Sequence, residues 1–187
     1  MRTRMVPLAV ILGFALVAAV QAPATAKPFE TGTYEYHETF NFRDCGLRLH
    51  GDDMGGGKFA IRAVKGTDEA FLGRENFWYR FVVTNRDNGE WMVLRGNAMF
   101  HELSATHIEG DIWEFKAREA GQPFIAEDMT GTVILRDRGM IEYRAVFDLL
   151  GDGEPGGEIL EEEMLHVAGP HPSLDVRFCD LLRDTIG

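Results

Sequence analysis

Cysteine is almost missing from this chain: Cys45 and Cys179 are the only two in 187 residues. No C-x-x-C pair and no Cys/His ligand spacing is present, which argues against a dithiol redox centre and a structural zinc site. Serine is equally scarce, and neither Ser104 nor Ser173 lies in a G-x-S-x-G turn, so the usual signature of a serine hydrolase is lacking. No glycine-rich loop follows a strand and opens a helix, so phosphate cradling is unsupported. Basic residues are outnumbered 19 to 30 by acidic ones and are mostly arginine. A surface that acidic repels phosphate backbones and anionic lipid heads, which removes nucleic acid and membrane surfaces from the expected partners. Long hydrophobic runs are also lacking beyond the first residues of the chain.

The first 26 residues carry Arg2 and Arg4, an apolar run from Met5 to Val20, and small residues ending at Ala24, Thr25 and Ala26. That is the pattern of a signal peptide with an A-x-A-like cleavage site. The run is shorter than the roughly 20 residues a membrane span needs. Residues 1–26 are thus expected to be a leader, and residues 27–187 one exported, soluble domain with no membrane span after cleavage. Removing the two leader arginines takes the net charge from −11 to −13.

In an exported protein two cysteines most economically form one disulfide. Cys45 ends the first β-like segment and Cys179 lies near the C-terminus, so a bridge would close a loop over most of the mature chain.

Apolar residues recur at every second position and turn residues punctuate the runs. In 58–64 Phe59, Ile61 and Ala63 share a face; in 111–118 Trp113, Phe115 and Ala117 do; in 141–149 Ile141, Tyr143, Ala145, Phe147 and Leu149 do. Asn88-Gly89, Gly110-Asp111 and Arg138-Gly139 read as hairpin turns. The glycine-rich stretches 55–57 and 151–157 read as loops. The expected fold is all-β: an antiparallel meander of about 8 to 10 strands closed as a barrel, with a β-sandwich as alternative. The end of the chain differs. Pro172 and Ser173 make a helix start signal, and Leu174, Phe178, Leu181 and Leu182 recur at helical spacing, so a short amphipathic helix should carry Cys179.

Three stretches, "FNFRDCG", "FVVTNRDNGEWMVLRG" and "FCDLL", resemble those of a group of uncharacterised secreted proteins common in actinobacteria. The resemblance implies export, a β-rich domain and one disulfide, and it supplies no catalytic residues.

The most pointed candidate is Glu38, which interrupts an apolar row made by Tyr34, Tyr36, Phe40 and Phe42. Were that row to face an interior, the carboxylate would be paired or have a raised pKa, and could act as a general acid or hold a polar ligand head. A bulge or edge that turns Glu38 to water is the plainer reading. Arg95 follows Trp91 and Val93 on one strand face and is a candidate partner for Glu38 or an anionic ligand, against the plainer reading of a solvent-reaching strand end. Glu38, Tyr36, Arg95 and Trp91 are therefore the expected ligand-binding residues.

His101 and His107 would share a strand face, but lie about 20 Å apart on an extended strand. The spacing is not that of a metalloprotease, and no metal or other cofactor is expected. Around the glycine-rich turn, Asp148 and the acidic loop 151–163 gather Asp152, Glu154, Glu158, Glu161, Glu162 and Glu163 without the spacing of an EF-hand; a solvated acidic hairpin is preferred over a calcium loop.

The leading expectation is a non-enzymatic exported barrel whose aromatic lining binds a small, mostly apolar molecule. An interaction module for another envelope or extracellular protein is the second. A small hydrolase or isomerase is the third, and requires a buried Glu38.

Overall fold

The computed structural model describes residues 29–187, and the leader expected at 1–26 lies outside the described residues. Strands run β1 (Phe29–Asp44), β2 (Leu47–Ala63), β3 (Phe71–Asn85), β4 (Trp91–Glu109), β5 (Ile112–Glu127), β6 (Val133–Arg136), β7 (Gly139–Asp148) and β8 (Glu158–Ala168). A 3-10 turn (Pro172–Leu174) and a helix α1 (Phe178–Ile186) end the chain. Pro172 and Ser173 thus start the 3-10 turn, and the helix proper begins later.

The strands pair antiparallel in the order β1-β2-β3-β4-β5-β7-β8, with β6 beside one end of β5. The expected meander is there, but the expected barrel closure is not: no pairing joins β1 to β8, so both are edges of an open sheet. Charge gives a physical reason. β1 carries Glu30, Glu35, Glu38 and Asp44, and β8 carries Glu158, Glu161, Glu162 and Glu163. Zipping two acidic edges together would place like charges side by side, the device by which natural sheets keep edges apart.

Two local readings are corrected. Gly55, Gly56 and Gly57 form no loop; they lie in the middle of β2, opposite Tyr36, Glu35 and Tyr34. A Cβ on Gly55 would lie 2.7 Å from the Tyr36 ring, and one on Gly57 would lie 2.9 Å from that of Tyr34, so the rings fill the space the glycines leave. Arg138-Gly139 is no hairpin turn either. β6 and β7 both pair with β5, as one strand interrupted at Asp137 and Arg138.

Register sorts the side chains into two faces. Residues opposite each other project to the same side, so Tyr36, Gly55, Tyr79 and Gly96 fall in one row and Glu38, Asp53, Phe81 and Leu94 in the next, all on one face. This core face carries most of the buried apolar mass, in two clusters. At one end Leu49, Val83, Met92, Leu94, Ala126 and Leu135 pack with Leu182 and Ile186 of α1. At the other, Trp113, Phe115 and Leu149 pack with Ala70, and Leu72, opposite Arg62 in the ladder, joins the cluster at the sheet's margin.

Helix α1 is held in three ways. Leu182 and Ile186 are fully buried, each contributing about 1.5–3 kcal/mol. Asn85 Nδ2 donates to the Ile186 carbonyl at 2.7 Å and Arg183 Nε to the Cys45 carbonyl at 3.0 Å. The disulfide Cys45–Cys179 then ties the β1–β2 turn to the helix, with Cα atoms 5.1 Å apart and 134 residues between them in sequence.

Candidate tyrosine and carboxylate strip

Between the two apolar clusters the core face changes character. All four tyrosines of the chain, Tyr34, Tyr36, Tyr79 and Tyr143, stand on it, and all four are half-buried. Their order follows from strand alternation and from glycines beside them. The Tyr79 ring approaches the position a Cβ on Gly96 would take to 2.7 Å, and Tyr34 and Tyr36 lie nearly parallel with ring centroids 6.5 Å apart.

Carboxylates share this face in phase with the aromatic rows. The Tyr34 hydroxyl donates to Glu75, and that of Tyr36 reaches Asp53 at 3.5 Å. The Tyr79 hydroxyl donates to the Pro123 carbonyl at 3.0 Å. Glu102 accepts the Gly73 N–H at 2.5 Å. Burial pushes the Glu102 carboxyl up to about 7, partly opposed by that bond. Burial, with the neighbouring Asp137 charge, pushes Glu119 up to about 7 as well. Asp53 is raised chiefly by burial, against the hydrogen bond from Tyr36. The tyrosines shift the same way: burial and Asp53 push Tyr36 up to about 12, and burial, with neighbouring carboxylates, raises Tyr34, Tyr79 and Tyr143. The strip is therefore a desolvated, proton-retaining surface of phenols and carboxyls.

The break at Asp137 borders it. Asp137 is 3% exposed; its carboxylate accepts the Ser173 N–H at 3.0 Å and the Ser173 hydroxyl, and stands 3.8 Å from His171 Nδ1. Serine, histidine and aspartate thus meet, but in the wrong order for nucleophilic catalysis. The carboxylate lies between the other two, so no imidazole takes the serine proton. The contact instead fastens the C-terminal segment to the interrupted strand.

The four expected ligand residues are split between the faces. Tyr36 and Glu38 are on the core face; Trp91, opposite Thr84, and Arg95, opposite Arg80, are on the other. Arg95 pairs with Glu127 at 2.6 Å, not with Glu38. Glu38 is exposed, so the buried carboxylate that the hydrolase reading requires is not provided by this residue. An edge strand explains it, because no further strand covers β1.

The histidines part as well. A bulge between Glu102 and Ser104 reverses the alternation, so His101, opposite Arg118, and His107, opposite Trp113, lie on opposite faces. Residues 151–163 do not gather around a point: Asp152 accepts the Glu154 N–H, and Glu161 pairs with Arg144. Among the described residues the group of three metal-ligand types within 4.8 Å is Asp44 with the two disulfide cysteines, which have no thiolate to offer. An acidic recess of about 300 Å3 lies at the Trp113 end, lined by Asp68, Glu69, Asp111 and Asp152.

No family model matches this chain, and the searches of curated proteins and of solved structures likewise found no match.

Sequence reasoning passed over Glu75, Glu102, Glu119 and Asp137. For the first three the signal existed. Glu75 is in phase with Phe77, Tyr79 and Phe81, Glu102 with Ala98 and Phe100, and Glu119 with Trp113, Phe115 and Ala117. Each interrupts an apolar row as Glu38 does.

Proposed function

We propose that this is an exported β-sheet protein that holds a small, mostly apolar molecule on the strip of its core face. The observation that carries this reading is the strip itself: aromatic side chains in register, flanked by two packed clusters and left half-buried between them. Aromatic surface in that state gains by contact with an apolar ligand, and the polar edges of the tyrosines supply orientation. Export follows from the leader, and the disulfide suits an oxidising compartment. Titration with the neutral fluorophore N-phenyl-1-naphthylamine tests the reading. Saturable binding to the native protein is expected, with loss in Ala98→Trp, which fills the strip between Phe77 and Gly121. Equal binding by this variant, its fold checked by circular dichroism, would refute it.

A second reading, an interaction module, is favoured by β8. This edge exposes Ile159, Leu160, Met164, Leu165 and Val167 at 38–49%. A strand from another extracellular protein added there would cover both its backbone edge and its apolar side chains. Loss of partner capture on introducing proline at Glu162 would support it, and unchanged capture would count against it.

A further inference from the structure

Charge on the core face narrows the ligand class. Every lysine and arginine that pairs in the ladder stands on the opposite face: Arg80 faces Arg95, Lys116 faces Arg144, and Arg118 faces Glu142. Ion pairing on that outer face is correspondingly dense, with Arg95–Glu127, Arg118–Glu142 and Arg144–Glu114 all at 2.6–2.7 Å. The core face keeps Asp53, Glu75, Glu102 and Glu119 with its four tyrosines, and no cation of the ladder answers them.

We propose that the molecule held on the core face is an amphiphilic cation, an amine or quaternary ammonium, with its head between Tyr79, Glu119 and Asp53 and its chain along the aromatic rows. This rests on the binding reading above and deepens it. Three observations favour a cation over a neutral or anionic occupant. Carboxylates taken out of water are costly unless their charge is compensated; Tyr34, Tyr36 and the Gly73 N–H donate to Glu75, Asp53 and Glu102, but the ladder brings no cation to this face. Tyrosine rings attract an ammonium through their quadrupole, most strongly where water is excluded. A fatty acid or phosphate ester would bring a further negative charge to a face that already carries only negative ones.

Tyr79 marks the place for the head. It lies within electrostatic reach of Glu119, Asp137, Asp53 and Tyr36, that is, of groups from β1, β2, β5 and the β6–β7 break. Glu119 itself is faced by Phe100 and Ile141 across the ladder and feels Asp137, with Tyr143 nearby on β7 and, beyond it, Glu162 of β8. His171 stands 3.8 Å from Asp137, on the side of the C-terminal segment. A cation must therefore meet Glu119 in its ionised form, and binding should release a proton at neutral pH.

The test uses the full folded protein and three probes with the same ten-carbon chain: decyltrimethylammonium, decanol and decanoate, each below its micelle concentration, by calorimetry at pH 6 and pH 8. The cation is expected to bind at least about tenfold tighter than the other two at pH 8. Its Kd should fall about five- to tenfold from pH 6 to pH 8, as a carboxyl near pH 7 ionises. Glu119→Gln should flatten that pH dependence; a pH dependence as steep in this variant as in the parent would overturn the proposal. Equal affinity for decanol and the cation would overturn the proposal while leaving the apolar-ligand reading in place, and tighter binding of decanoate would do the same. Binding of none of the three would overturn both. A decalysine peptide that bound more tightly than decyltrimethylammonium would make the occupant a macromolecule and also overturn it.

Discussion

Glu102 and Glu119 make stability depend on pH in a direction opposite to that of ordinary ion-paired carboxylates. Burial raises each from 4.5 to about 7, so the folded state holds these protons more tightly than the unfolded chain does. At about 1.4 kcal/mol per pH unit, each rise corresponds to about 3 kcal/mol. That stability is fully present below the unfolded value near 4.5 and is lost as pH rises through about 7. Asp53 is raised as well and adds to the trend. Asp87 and Asp128, which are lowered, act in the other sense, but only at more acid pH. Unfolding free energy should therefore drop from pH 5 to pH 8. The Glu119→Gln variant removes the charge and keeps the shape. It should match the parent near pH 5 and exceed it by up to about 3 kcal/mol near pH 8. Urea unfolding at constant ionic strength, followed by circular dichroism at pH 5, 6, 7 and 8, measures this. Parallel curves for parent and variant across that range would refute the assignment of Glu119 to a desolvated site.

Other perturbations have expected outcomes of their own. Replacing Cys45 and Cys179 together by serine opens a loop of 134 residues, for which chain entropy gives an upper figure of about 5 kcal/mol; a shift in urea midpoint with an unchanged native spectrum checks it. Leu182→Ala leaves a cavity under α1 and should cost about 2–5 kcal/mol by the same assay. Gly96→Ala would place a Cβ 2.3 Å from the Pro123 carbonyl oxygen, a backbone atom that cannot step aside, and should cost about 1–3 kcal/mol, seen as a lower Tm.

What the sequence revealed and what it hid have the same physical origin. Alternation is local, so the rows of Tyr34 to Phe42, Trp113 to Ala117 and Ile141 to Phe147 could be read directly, and each does share one face. The Asn88-Gly89 turn was legible too, because Gly89 takes a positive φ of 80°. Closure was not, since it depends on whether the first and last strands meet, and no local pattern records that. The triple glycine misled because its reason lies on the neighbouring strand, where Tyr34 and Tyr36 occupy the space. Bulges were the other blind spot: one extra residue near Leu103 moves His107 to the opposite face. Arg95 and Trp91 were placed correctly relative to each other, but which face they share depends on where α1 and the two apolar clusters gather. Within the strip, Tyr36 was singled out from sequence, whereas the decisive carboxyls Glu102 and Glu119 were legible only by applying to every aromatic row the reasoning used at Glu38.

The central claim is that the core face holds a small molecule, and native mass spectrometry of the protein produced in its own host and purified without detergent or reducing agent tests it most directly. The account predicts an added mass of a few hundred daltons that leaves on denaturation, on a chain two hydrogens lighter than its reduced form. A bare chain in that preparation, and again after incubation with decyltrimethylammonium and N-phenyl-1-naphthylamine, would contradict it.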